Sequence, residues 1–125
     1  MRERPKDKNR LEHILHSLGV IDFLKKGKSY HECENDIAIY YALIKNLEII
    51  GEAVYKLTKE FKQKHPATPW SEIEKLRHVI VHDYYRVDFN IVWDTIENDL
   101  SEFIIQIEKY LLEEKNLHLN SENTK

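Results

Sequence analysis

Residues 89–114, Phe-Asn-Ile-Val-Trp-Asp-Thr-Ile-Glu-Asn-Asp-Leu-Ser-Glu-Phe-Ile-Ile-Gln-Ile-Glu-Lys-Tyr-Leu-Leu-Glu-Glu, decide the fold class. Val92, Trp93, Ile96, Leu100, Phe103, Ile104, Ile107 and Leu111 recur at steps of three and four, the spacing that lines one face of an α-helix. Asp88 stands just ahead of the run, where a carboxylate can accept from the first free backbone amides. A stripe of this length needs other helices to cover it. The flanking chain is therefore read for the same period.

That period recurs upstream. Leu11, Ile14, Leu15, Leu18 and Ile21 predict a first helix from about Asp7 to Lys25, stopped by Gly27. Ser29 with Glu32 three residues on forms a capping-box pattern. Ile37, Tyr41, Ile44, Leu47, Gly51, Val54 and Leu57 then hold one face to about Lys62, a second helix roughly 45 Å long at 1.5 Å per residue. That face is longer than a short partner helix can cover, which hints at a second chain. Gly51 in its middle costs about 1 kcal/mol against alanine on an exposed helix, so its expected use is to let another helix approach closely. His65-Pro66-Ala67-Thr68-Pro69 breaks the chain, with Thr68 as N-cap and Pro69 at the first helical position of a third, shortest helix carrying Ile73, Leu76 and Ile80. The expected fold is all-α: one domain over residues 1–125, an up-and-down bundle of four main helices. Residues 1–8 are read as a flexible basic arm and about 116–125 as a disordered tail.

Composition agrees. The 125 residues include 42% hydrophobic and 33% charged side chains with only three Gly and three Pro, which suits helices with few turns. The one cysteine, Cys33, excludes an internal disulfide and fits a small core or surface residue in a reducing compartment. The start of the chain is polar, without the apolar stretch of a signal peptide, so a cytoplasmic protein is expected. A net charge of −3 argues against a protein that coats nucleic acid but leaves room for a local basic cleft.

The chemistry concentrates in Arg77-His78-Val79-Ile80-Val81-His82-Asp83-Tyr84. An arginine, a histidine and a tyrosine stand in the spacing R-x4-H-x-Y: a permanent cation that forks onto phosphate, a proton carrier near neutral pH, and a hydroxyl. On one regular helix His82 lies about 140° round from Arg77, so the three do not converge unless the helix ends or a second chain completes the site. RNA cleavage without a metal needs a base for the ribose 2′-OH, an acid for the leaving oxygen and a cation for the charged phosphorus centre. Two motifs face to face in a homodimer supply two histidines and two arginines.

Residues 76–100, together with Leu47–Leu57 containing Gly51-Glu52-Ala53 and the Thr68–Ile73 entry to the third helix, resemble the HepT-like branch of the HEPN superfamily. The resemblance implies a helical homodimer acting as a metal-independent endoribonuclease without a cofactor. It further implies the toxin of a toxin-antitoxin pair, whose partner is a minimal nucleotidyltransferase and whose substrate is RNA. Carried over by position, Arg77 and His82 are catalytic and Tyr84 receives AMP from the partner. Glu52, read either as the orienter of Arg77 or as a solvated helix position, and Asp83 are supporting candidates. So is His78, which stands where the family commonly has Asn.

Two other readings compete on the residues alone. Glu74-x3-His78-x3-His82 has helical ligand spacing for a metal. Alternatively the chain is a non-catalytic helical partner of a nucleotidyltransferase, with Arg77 merely paired to Glu74 or another carboxylate and His82 an interior histidine. The aromatics Trp93, Phe103 and Tyr110 read as core, and His13, His16, His31, His65 and His118 show no ligand spacing.

Overall fold

The computed structural model describes residues 3–79 and 88–123, and every secondary-structure element among them is helical. Helix α1 spans Glu3–Lys25, α2 Tyr30–Asn35, α3 Ile37–Lys56, α4 Lys59–Lys64, α5 Trp70–Glu74, α6 Leu76–Val79, α7 Phe89–Asp94 and α8 Leu100–Asn123, with a π-helical turn over Thr95–Asp99 joining the last two. None of these helices is long and apolar enough to cross a membrane.

Three long rods make the body: α1, α3 and the α7–π–α8 run. Leu11, Ile14, Leu18 and Ile21 of α1, Leu43, Leu47, Ile50 and Val54 of α3, and Phe103, Ile107 and Leu111 of α8 share one buried core. Each such side chain, once removed from water, contributes about 1.5–3 kcal/mol. Neighbouring rods run antiparallel. Asp7 at the start of α1 bonds Thr58 just past the end of α3, and Lys25 at the end of α1 meets Glu97 in the π turn at 2.9 Å. Cys33 is buried in the same core, and burial pushes its thiol pKa up.

Four boundaries differ from the expectation. The continuous second helix is three helices. Asp36 ends α2 and caps α3, its Oδ1 accepting from the amides of Ala38 and Ile39 at 3.1 Å each. Local bonding by a short carboxylate wins over an apolar period that runs straight through. Thr58 breaks the chain again: its hydroxyl donates to Asp7 Oδ2 at 2.7 Å, its amide to Asp7 Oδ1 at 2.9 Å, and its Oγ1 accepts from Phe61 to cap α4. Asp7, only 4% exposed, is therefore a tether in the folded body, and α1 reaches back to Glu3 where a flexible arm was expected. At the other end α8 runs to Asn123, past the expected tail boundary near residue 116.

Thr68 also departs from its expected role. It turns inward: its hydroxyl donates to Gln106 Oε1 at 2.7 Å and lies 2.6 Å from the Tyr110 hydroxyl. Pro69 takes the N-cap position of α5 in its place. The third helix is broken at Lys75 into α5 and α6, so of the four expected main helices three are long and the third is a pair of short pieces. Gly27 has φ +71°, the left-handed conformation that ends a helix cheaply only in glycine. The Ser29–Glu32 capping box and the Asp88 cap are both present.

Candidate functional site

The site grows from Gly51. A Cβ at that position would lie 2.6 Å from the backbone nitrogen of Arg77 and 3.2 Å from its Cβ. Only glycine lets the start of α6 sit directly on α3, which is the close approach that a mid-helix glycine suggests. The next turn of α3 then handles the arginine. Glu52 Oε2 is 3.6 Å from Arg77 Nη1, and the guanidinium lies over the Tyr55 ring, Cζ 3.5 Å from its centroid.

These contacts fix the plane of the guanidinium while leaving its side chain 22% exposed. Its Nε is buried and finds no hydrogen-bond partner among the described residues. Buried donors of this kind are uncommon and cluster where a ligand or a further group completes the bonding. Glu52 also lies 3.9 Å from Lys56, so its charge is shared between two cations and does not fully neutralise Arg77.

The carboxylate that pairs with Arg77 is thus Glu52, on another helix, and not Glu74. Glu74 closes α5 with its carboxylate 3.8 Å from Lys62 Nζ. His78 follows Arg77 on α6, beyond the break at Lys75, so Glu74 and His78 do not share one regular helix. His82, Asp83 and Tyr84 lie outside the described residues. Of the expected site residues the structure therefore brings Arg77 and Glu52 into contact.

Sequence reasoning missed Tyr55. The signal was available: it lies four residues beyond Gly51 and three beyond Glu52, hence on the same helical face. Tyr55 walls a shallow cleft of about 670 Å³ between α3, α4 and α5. Glu52 borders a second cleft between α1 and α3, which contains Arg10, His13, His16, Lys45 and Lys56. Arg77 touches one wall of each, Tyr55 of the first and Glu52 of the second. The cleft between α5 and the π turn is different in character, bearing Glu72, Asp99 and Glu102, and suits phosphate poorly. Phe103 and Tyr110 are core, as expected, and Trp93 packs at the core edge against Tyr30 and Phe89.

Comparison with known proteins identifies the family. Residues 14–110 match the family model described as Ribonuclease HepT-like. The chain is 39% identical over 105 residues to "Putative RNase TTE0752" of Caldanaerobacter subterraneus subsp. tengcongensis, covering 84% of this chain and 94% of that protein. It is 40% identical over 98 residues to "Putative RNase MJ0125" of Methanocaldococcus jannaschii, with 77% of this chain and 84% of that protein covered. Against "Probable ribonuclease HepT" of Thermococcus cleftensis it is 31% identical over 102 residues, 82% of this chain and 93% of that protein. No solved structure gives a significant match. The chain therefore belongs to the ribonuclease HepT-like family, and its activity class is that of a ribonuclease.

Proposed function

We propose that this ribonuclease is a metal-independent endoribonuclease, the toxin of a pair whose other member is a minimal nucleotidyltransferase. The observation that carries the reading is the seat of Arg77: a permanent cation oriented by Glu52 and the Tyr55 ring, over a glycine that admits it, and still partly open to solvent. Such a group is ready to stabilise charge on a phosphate, because its orientation is settled before the substrate arrives.

In this reading RNA lies against Arg77, and His82 takes the proton of the ribose 2′-OH. The 2′ oxygen attacks phosphorus, the bond to the 5′ oxygen breaks, and an acid returns a proton to that oxygen. The products are a 2′,3′-cyclic phosphate and a 5′-OH. One chain supplies one such histidine, so the acid comes from a second copy. Ile37 and Tyr41, 74% and 53% exposed on consecutive turns of α3, support a homodimer, since both belong to the apolar stripe whose remainder is buried. His78 supplies a hydrogen bond where relatives commonly carry Asn, and Asp83 supports His82. AMP transferred to Tyr84 adds bulk and negative charge beside the cleft and repels RNA phosphates.

The test is cleavage of tRNA and mRNA by the purified protein in EDTA. Cleavage is expected in chelator and absent in His82→Ala. An activity abolished by EDTA, or intact in His82→Ala, overturns the mechanism. Incubation with the proposed nucleotidyltransferase partner and ATP is expected to add the mass of AMP to the wild-type chain. The same gain in Tyr84→Phe would rule out Tyr84 as the acceptor.

A further inference from the structure

Tyr55 has one ring face covered by the Arg77 guanidinium, 3.5 Å from the centroid, yet the residue remains 49% exposed. Covering one face of a flat ring and leaving the residue half open means that ring surface still meets solvent. Tyr55 is also a wall of the cleft of about 670 Å³ that Lys59, Lys62, Gln63, Ser71 and Glu74 line with it. A tyrosine of a folded body commonly buries its ring in the core and bonds its hydroxyl there. This one contributes little to the core and lies outside the buried cluster.

We propose that Tyr55 is a base-stacking residue, which takes the nucleobase adjoining the phosphate held by Arg77. The proposal rests on the ribonuclease reading above and names how the substrate strand is held. A guanidinium on an aromatic ring sets a phosphate grip beside a π surface, and a nucleotide presents both a phosphate and a flat base. The cleft carries the strand away from the site. Lys62 is partly offset by Glu74 at 3.8 Å, whereas Lys59 pairs with no carboxylate among the described residues and can meet the next phosphate. Stacking of this kind accepts any base, since each has a π face.

A purely structural Tyr55, present only to steady Arg77, is the alternative, and it makes a different prediction. The His82→Ala protein is mixed with single-stranded RNA carrying 2-aminopurine in turn on either side of the cut bond. Fluorescence quenching is expected at one of the two positions, to be kept in Tyr55→Phe and lost in Tyr55→Leu. In the cleaving protein, Tyr55→Leu is expected to raise KM for intact RNA about tenfold. On RNA that is abasic at the quenched position the loss should be clearly smaller, because there only the steadying of Arg77 is removed and no base contact. If the wild type cuts RNA but quenching does not depend on the ring at position 55, or Tyr55→Leu is as harmful on abasic RNA as on intact RNA, Tyr55 is structural and only this proposal falls. If the wild type cuts no RNA, both fall. Thermal melts of each variant separate loss of stacking from loss of fold.

Discussion

Gly51 and Arg77 are in contact through their backbones: the position a Gly51 side chain would occupy is 2.6 Å from the Arg77 amide nitrogen. Neither atom is the end of a flexible side chain, so one helix must move if a methyl group is added. Gly51→Ala is expected to destabilise the fold by about 1–3 kcal/mol. It should also lower RNA cleavage more than the fall in Tm explains, because the moved helix bears Arg77. Gly19→Ala is the control, since a Cβ there meets nothing within 4 Å and should stabilise α1 by up to about 1 kcal/mol. Thermal melts and cleavage assays well below Tm check both; equal behaviour of the two variants would contradict the close approach.

Glu52 and Arg77 invite a separate test of orientation against stability. The pair is 3.6 Å apart with Glu52 about half exposed, and such pairs contribute about 0–1 kcal/mol. Glu52→Gln should therefore leave Tm nearly unchanged while reducing cleavage several-fold. Arg77→Lys keeps the charge but loses the plane that stacks on Tyr55 and the fork that grips phosphate, so cleavage should fall at least tenfold. A large Tm loss with intact cleavage in either variant would make the contact structural only.

Asp7 provides a prediction that a flexible arm would not. It accepts two hydrogen bonds from Thr58, 51 residues away in sequence, while almost fully buried. Asp7→Ala leaves the Thr58 amide without that acceptor and should cost about 1–3 kcal/mol. Deleting residues 1–8 should cost at least as much. Urea denaturation measures both, and a truncated chain as stable as the full one would refute the tether.

His65 should make stability sensitive to acid. Its ring stacks on Tyr110 at 4.0 Å between centroids, and burial lowers its pKa from the usual 6.5. The unfolded chain then binds the proton more readily than the folded one. Stability is complete above about pH 6.5 and is lost as pH falls below it toward the folded-state value. His65→Phe should flatten this part of the pH profile, as read by Tm at pH 7.5 and 5.5. An unchanged slope would assign the acid sensitivity elsewhere.

What the sequence made legible follows the range of the forces involved. The stripes of α1 and of the final run, the Ser29 and Asp88 caps and the Gly27 stop all depend on residues within a turn or two, and each appears where the period and capping rules put it. Gly51 was readable because a glycine inside an apolar helix needs a reason. The break at Thr58 was not, since its stabilising partner is Asp7 at the far end of another helix. Thr68 looked like a cap because nothing local reveals that Tyr110 and Gln106 compete for its hydroxyl. At the site, the Arg77–Glu52 pairing was one of two readings open for Glu52, while Tyr55 was hidden by its ordinary identity: an aromatic on a helix reads as core until its exposure is seen.

The π turn over Thr95–Asp99 has a consequence for how the chain can change length. Val92, Ile96 and Leu100 are all buried, although two successive four-residue steps on a regular α-helix drift by about 80°. The wider turn absorbs that drift with one residue more than an α-helix needs. Deleting exposed Asn98 would shorten the second step to three and leave ordinary α-helical spacing, with the same seam still facing α1. The segment is a slack link: the rod can lose a residue there and keep its bearing on both sides, where a deletion in α3 near Gly51 would swing Arg77's seat out of line.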